Sequence, residues 1–369
     1  MSNIEIPLLR PKLPDAYALV PYLRRIDSRQ HYTNFGGLQD EFLGLLVEHQ
    51  QVLDGCPVHG VLTTSGTLGL ELVLSALDLP LGSRVAVPAL TFPATATAVE
   101  RCGHVPVLLD VDPDTWLLTP AHMPADLSGL DIQAVIPVAT FGLPQNLQAW
   151  SAWREATGIH VIIDAAAALG SQKTMADIPV VFSLHATKTL SSGEGGLILT
   201  QDRHLAERLK AMTNFGIGLN MPTIATNAKM SEYHAAVGLA HLEIWPAQVA
   251  ARKALLGQYR QALAGAEGSV FKFQNGTGLF APSVFCIQLA SPALRDQLER
   301  LCEREGIQTR RWYLPLLQHQ SMLKWSQVPS PTVNAEYLAD TLLGLPFFPD
   351  MTDAQCLRVA RTVLALNAP

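Results

Sequence analysis

Lys188 follows an apolar run, "VVFSL" (residues 180–184), and precedes the turn "SSGEGG" (residues 191–196). A lysine carried off a core strand into a pocket has its ammonium disfavoured. Its pKa falls, and the free amine becomes a nucleophile for a carbonyl carbon. Asp164 ends a second apolar run, "HVIID", and only small residues follow it. A carboxylate in that place faces the mouth of a sheet. In "TTSGTLGL", strand-like residues give way to Ser65, Gly66 and Thr67 at the start of a helical pattern. Hydroxyls and unpaired N–H groups at a helix N-terminus favour a phosphate. Phe92, in "ALTFPATA", stands between a strand pattern and a helix pattern, where an aromatic ring can cover a planar ligand. No GxGxxG or GxxxxGK[ST] motif accompanies these residues, so a dinucleotide or ATP site is not indicated.

These four features become chemistry only if one scaffold gathers them. Between residues 59 and 212, apolar strand patterns alternate with helical ones: "HGVLTT", "SRVAVPAL", "HVPVLLDVD", "DIQAVIPVATFG", "HVIIDAAAALG", "IPVVFSL" and "GLILTQD". Continuous apolar strands separated by helices indicate an α/β fold, a mostly parallel sheet covered on both faces. In such sheets ligands bind at the carboxyl ends of the strands. After about residue 245 the texture changes to a long helical stretch and a smaller α+β region. Three parts are therefore expected: an N-terminal segment, 1–30, packing on one of the others, a large domain, 31–245, and a small C-terminal domain, 246–369.

Composition excludes several classes. The 369 residues are 48% hydrophobic and 16% charged, with a net charge of −6. Nothing supports a nucleic-acid surface. No apolar stretch approaches the ~18 residues of a membrane span. Five scattered cysteines lack CxxC spacing, and the N-terminus lacks an apolar signal core, so a cytoplasmic protein with reduced thiols is expected. No metal site is expected. "DVDPD" lacks the sixth-position glycine and terminal glutamate of a calcium loop, and His234 and His241 are seven apart rather than four.

A phosphate cradle, a strand-end carboxylate, a stacking aromatic and a nucleophilic lysine are together what pyridoxal 5′-phosphate (PLP) requires. The segments "SGT", "PALTFPATATAV", "PVLLDVDPDTW", "IDAAAALG", "VFSLHATK", "GEGGLILT", "TNFG" and "TNAKMSEYHAAVGL" occur in that order. They resemble the signature segments of the DegT/StrS family of sugar aminotransferases, with "GIQTRRWYLPL" extending the likeness towards the C-terminus. The resemblance implies a fold type I PLP-dependent transferase with a seven-stranded sheet in the large domain. It implies Lys188 as the Schiff-base lysine and Asp164 as the partner of the ring nitrogen. Phe92 would be the stacking ring, with Gly66, Thr67 and Ser183 as phosphate ligands. It further implies a homodimer whose sites are shared, with Asn227 reaching the partner's phosphate. Tyr32, Asn34, Lys229, Tyr313 and His319 are candidate substrate residues, with Arg310 and Trp312 beside them. The implied reaction moves an amino group, from glutamate, to a nucleotide-linked keto-sugar by a ping-pong route. Alternatives are a cyclitol or aminobenzoate-precursor substrate, or a silent binding homologue. Two departures touch the site. Ala167 stands where the family carries Gln or His, and Lys229 where it often has Arg, exchanging a bidentate fork for a point charge.

Overall fold

The computed structural model describes residues 4–124, 129–219, 223–278 and 280–367. Eight strands build the large sheet: β1 (His59–Thr63), β2 (Arg84–Pro88), β3 (Val105–Leu109), β4 (Ile132–Val135), β5 (His160–Val161), β6 (Ile163–Asp164), β7 (Val180–Ser183) and β8 (Gly196–Thr200). β5 and β6 are halves of one strand interrupted at Ile162. The Ile162 N–H still donates to Val135 O at 3.0 Å, and the Asp164 N–H to Pro137 O at 3.0 Å. The two four-stranded pieces, β3-β2-β4-β5 and β6-β7-β8-β1, thereby join into one seven-stranded sheet. Only β8 runs against its neighbours, β7 and β1; the other pairings are parallel. The strands read as apolar runs because both faces are covered.

The helices over this sheet start and stop where local chemistry directs. Ser65 caps Gly66–Ala76, Asn146 caps Leu147–Thr157 and Asp202 caps Arg203–Met212, each side chain accepting a first-turn N–H. Gly158, at φ 74°, ends the second of these. A second sheet is antiparallel, in the order β11-β10-β9, formed by β9 (Phe271–Phe273), β10 (Phe285–Leu289) and β11 (Leu342–Leu345). Pro292–Arg304 and Asp353–Leu364 pack with it around a separate apolar cluster that includes Ile287, Leu298, Phe347 and Val359.

One helix, Glu232–Leu263, belongs to both cores. Ala235, Leu239 and Trp245 are buried in the first cluster; Leu255, Tyr259 and Leu263 are buried in the second. The change of texture near residue 245 therefore falls inside a continuous helix. Pro246 removes one donor from its ladder, a cost of about 3 kcal/mol in an exposed helix, and burial at both ends outweighs it. The N-terminal segment runs along the second sheet. Ile6 bridges Ile307, the Leu8 N–H donates to Gln308 Oε1 at 2.9 Å, and the Phe347 N–H donates to Leu8 O at 3.0 Å. Among the described residues no helix is long and apolar enough to cross a membrane.

Candidate active site

The carboxyl ends of β1, β2, β4, β6 and β7 open onto a cavity of about 430 Å³. Lys188 reaches it through the turn after β7, where its N–H donates to His185 O at 2.9 Å. The side chain is half-buried, its remaining surface facing the cavity. Burial pushes its pKa down, and the nearby Asp164 carboxylate opposes that shift. Asp164 is only 5% exposed. Burial pushes its pKa up, countered by Thr95, by the Ala166 N–H and by Lys188. The Thr95 hydroxyl donates to Oδ2 at 2.8 Å and the Ala166 N–H to Oδ1 at 3.1 Å. These bonds fix the carboxylate in one orientation and favour its charged form.

Gly66, Thr67 and Ser183 line one end of the cavity. The Leu68 N–H donates to Ser65 Oγ at 3.1 Å, and the Gly66 and Thr67 N–H groups are without acceptors among the described residues. The helix start lies against β7. A Cβ on Gly66 would stand 3.2 Å from Ser183 Cβ and 3.3 Å from its Cα. Between them passes β8, where a Cβ on Gly196 would meet Ser65 O at 2.4 Å. The last glycine of the "GEGG" turn thus permits the helix N-terminus to approach Ser183. Phe92 lines the cavity and is 54% exposed, free to cover a flat ligand. Tyr313 meets it edge-on at 6.4 Å and stacks on Phe141 at 5.5 Å, and burial pushes the Tyr313 phenol well up.

Residues 19–364 match the model of the DegT/DnrJ/EryC1/StrS aminotransferase family. The chain belongs to that family. It is 32% identical over 314 residues to the UDP-N-acetyl-3-dehydro-alpha-D-glucosamine 3-aminotransferase of Acidithiobacillus ferrooxidans, covering 83% of each chain. It is similar to the structure of DesI with its TDP-sugar product, with a TM-score of 0.85, 29% identity, and coverage of 100% of this chain and 94% of that one. DesV of S. venezuelae, solved in complex with a ketimine intermediate, gives a TM-score of 0.83, 25% identity, and coverage of 98% and 100%. The protein is a fold type I, PLP-dependent aminotransferase.

The residues present fit that cofactor. The acceptor-free N–H groups of Gly66 and Thr67, at a helix start drawn tight against Ser183, suit a phosphate. Asp164 is a buried carboxylate with no ion pair among the described residues, so it can pair with a ring nitrogen. Several other candidates lie elsewhere. Asn227 bridges Asn214, and Lys229 Nζ donates to Asn227 Oδ1 at 2.8 Å and to Asn214 Oδ1 at 2.7 Å. Tyr32 stacks with Tyr233 at 6.3 Å, Asn34 holds φ 64°, and His319 is exposed on a single 3-10 turn. None of Tyr32, Asn34, Asn227, Lys229 and His319 lines this cavity; Tyr313 does.

The site also uses residues that sequence reasoning did not assign a role. Thr95, in the first turn of the helix Ala94–Arg101 after β2, reaches Asp164 from behind the cavity lining. Glu194 faces His185 with Oε1 3.7 Å from Nε2, while His185 Nδ1 accepts the Thr187 N–H at 3.2 Å. Leu9 brings the N-terminal segment into the wall, and Ser283 and Val284 bring the second sheet. Such long-range placements leave no local pattern.

Proposed function

We propose that this aminotransferase takes an amino group from glutamate and delivers it to a nucleotide-linked keto-sugar, both substrates using one site in turn. The observation that carries this reading is a single cavity uniting Lys188, Asp164 and an anion-ready helix start. The relative named for a UDP-linked 3-dehydro sugar supports the acceptor class.

When bound, the cofactor supplies an electron sink for bonds at the amino-bearing carbon. Gly66, Thr67 and Ser183 would hold its phosphate, Phe92 would cover its ring, and Asp164 would pair with the ring nitrogen. Lys188, its pKa lowered by burial, takes a proton from the donor's α-carbon and later returns one to the acceptor's former carbonyl carbon. Thr95, donating to Oδ2, would hold the Asp164 carboxylate in one orientation for that pairing. The wall of apolar and aromatic residues, Leu9, Phe141, Trp312 and Tyr313, limits water near the reacting carbon.

The same reading includes a homodimer in which Asn227 serves the neighbouring subunit's phosphate. Its support is the exposed apolar surface around the Asn214–Asn227–Lys229 cluster, formed by Phe215, Ile217, Ile224 and Tyr233. It also treats 31–245 and 246–369 as large and small domains; a second apolar core drawn mostly from residues 255–363 supports the smaller one, while Trp312, Leu316 and Leu338 pack into the first core. The test offers the amine-loaded enzyme a panel of nucleotide-linked 3-keto and 4-keto sugars after loading with ¹⁵N-glutamate. Labelled amino-sugar is the expected product. Label passing only to a cyclitol ketone, or to no acceptor, overturns the substrate assignment.

A further inference from the structure

Arg310 and Arg311 are adjacent in sequence and opposite in circumstance. Arg311 is engaged: its Nε donates to Glu299, and its Nη2 donates to both Glu299 and Asp296. Arg310 lines the cavity, and its guanidinium makes no ion pair or hydrogen bond among the described residues. It lies over the Trp312 indole, 4.1 Å from the ring centroid. Its backbone is pinned to β11 by two reciprocal bonds, Arg310 N–H to Gly344 O at 3.2 Å and Gly344 N–H to Arg310 O at 2.8 Å. A mobile side chain on a loose loop would carry little meaning. This one stands on a fixed stalk against a flat aromatic support.

The cavity's own acids do not account for it. Asp164 is engaged by Thr95 and Ala166, and Glu194 faces His185. Apart from Lys188, Arg310 is the one permanent cation among the residues lining the cavity. It comes from the C-terminal part of the chain, whereas the helix-start cradle comes from the ends of the sheet strands. A planar fork with five donors suits a bidentate carboxylate or phosphate.

We infer that Arg310 is the substrate-anion residue of this site, binding oxygens of the donor's carboxylate or of the acceptor's diphosphate. This rests on the substrate reading above. Both substrates carry such oxygens, and the stacked guanidinium would present its edge to either.

The experiment uses the PLP-loaded enzyme and the variants Arg310→Gln and Arg310→Lys, with an unchanged cofactor spectrum as the check on folding. One arm measures the apparent saturation constant for L-glutamate in the donor half-reaction. The other measures inhibition of that half-reaction by UDP. Arg310→Gln should weaken one arm about ten- to a hundredfold, the size of one lost charge-assisted hydrogen bond. Its limiting rate should change much less, and Arg310→Lys should recover part of the loss. Loss confined to glutamate identifies the carboxylate; loss confined to UDP identifies the diphosphate. Both arms within twofold of wild type overturn the assignment. A wild type indifferent to both glutamate and UDP overturns the substrate reading and this assignment together.

Discussion

The two walls of the cavity are built on different terms. The sheet-end wall is made of committed groups. Asp164 is buried and twice hydrogen-bonded, and Gly66 is pressed against Ser183. The other wall, from Leu9, Ser283, Val284, Arg310, Trp312 and Tyr313, comes from separate stretches of chain and carries an uncommitted cation in Arg310. The difference assigns the labour: the first wall can hold a cofactor in one pose, and the second can change partners between two substrates. Chemistry needs fixed groups. Exchange of substrates needs at least one that is free.

The sharpest way to break this division is Lys188→Ala. Turnover should fall by at least about a thousandfold, since the general acid–base group is gone. The folded protein should still take up PLP non-covalently, and borohydride should fix cofactor to the wild type alone. Retained transamination would remove Lys188 from the sheet-end machinery. The next largest effect tests whether another chain adds a third wall. Lys188→Ala and Asn227→Ala chains, each expected to be defective on its own, are mixed. If Asn227 serves its partner, one site per mixed dimer carries both lesions and the other carries none. Activity should then return to about half of wild type per mixed dimer, as two-fold symmetry dictates. Activity no higher than the average of the parents assigns Asn227 to its own subunit.

Within the sheet-end wall, Asp164→Asn should slow the glutamate half-reaction roughly a hundredfold, with a smaller change in cofactor affinity. Thr95→Val should slow it about tenfold, because the carboxylate keeps its charge and loses its aim. Rates that do not separate the two variants would make Thr95 structural. The smallest effect is on stability. Below the lowered native pKa of Lys188, folded and unfolded chains both hold its proton, and the folded apo-protein bears the full penalty of burial. Between that value and the ordinary lysine range the unfolded chain holds the extra proton. Stability relative to Lys188→Met should therefore rise with pH across that window, by about 1.4 kcal/mol per pH unit at most. Denaturant titrations of both apo-proteins measure the difference. A flat difference means that Lys188 titrates normally.

The strand-end groups were legible because each follows its strand directly. Lys188 lies in the turn after β7, Asp164 ends β6, and Ser65 to Thr67 follow β1, so the combination of apolar runs with polar residues just beyond them pointed to one cavity. The seven-stranded sheet was legible for the same reason, even with the Ile162 interruption. The second wall was not. Leu9 and Val284 reach the cavity through contacts across hundreds of residues, and nothing near them in sequence marks the fact. Texture alone did not show that one helix runs through residue 245. A proline beside a change of composition resembles an end, but Trp245 and Leu255 are buried in different cores, and the helix must continue to reach both.

That helix bears on how the cavity can open. At about 1.5 Å per residue, Glu232–Leu263 is a rod roughly 48 Å long with one end embedded in each core. Two bodies joined by a supple strand can swing apart. Two bodies impaled on one rod slide or twist together unless the rod bends. The ladder lacks a donor at Pro246, so flexure concentrates there. Any larger opening would have to bend or shear around that rod, and the missing donor at Pro246 is where its ladder is weakest.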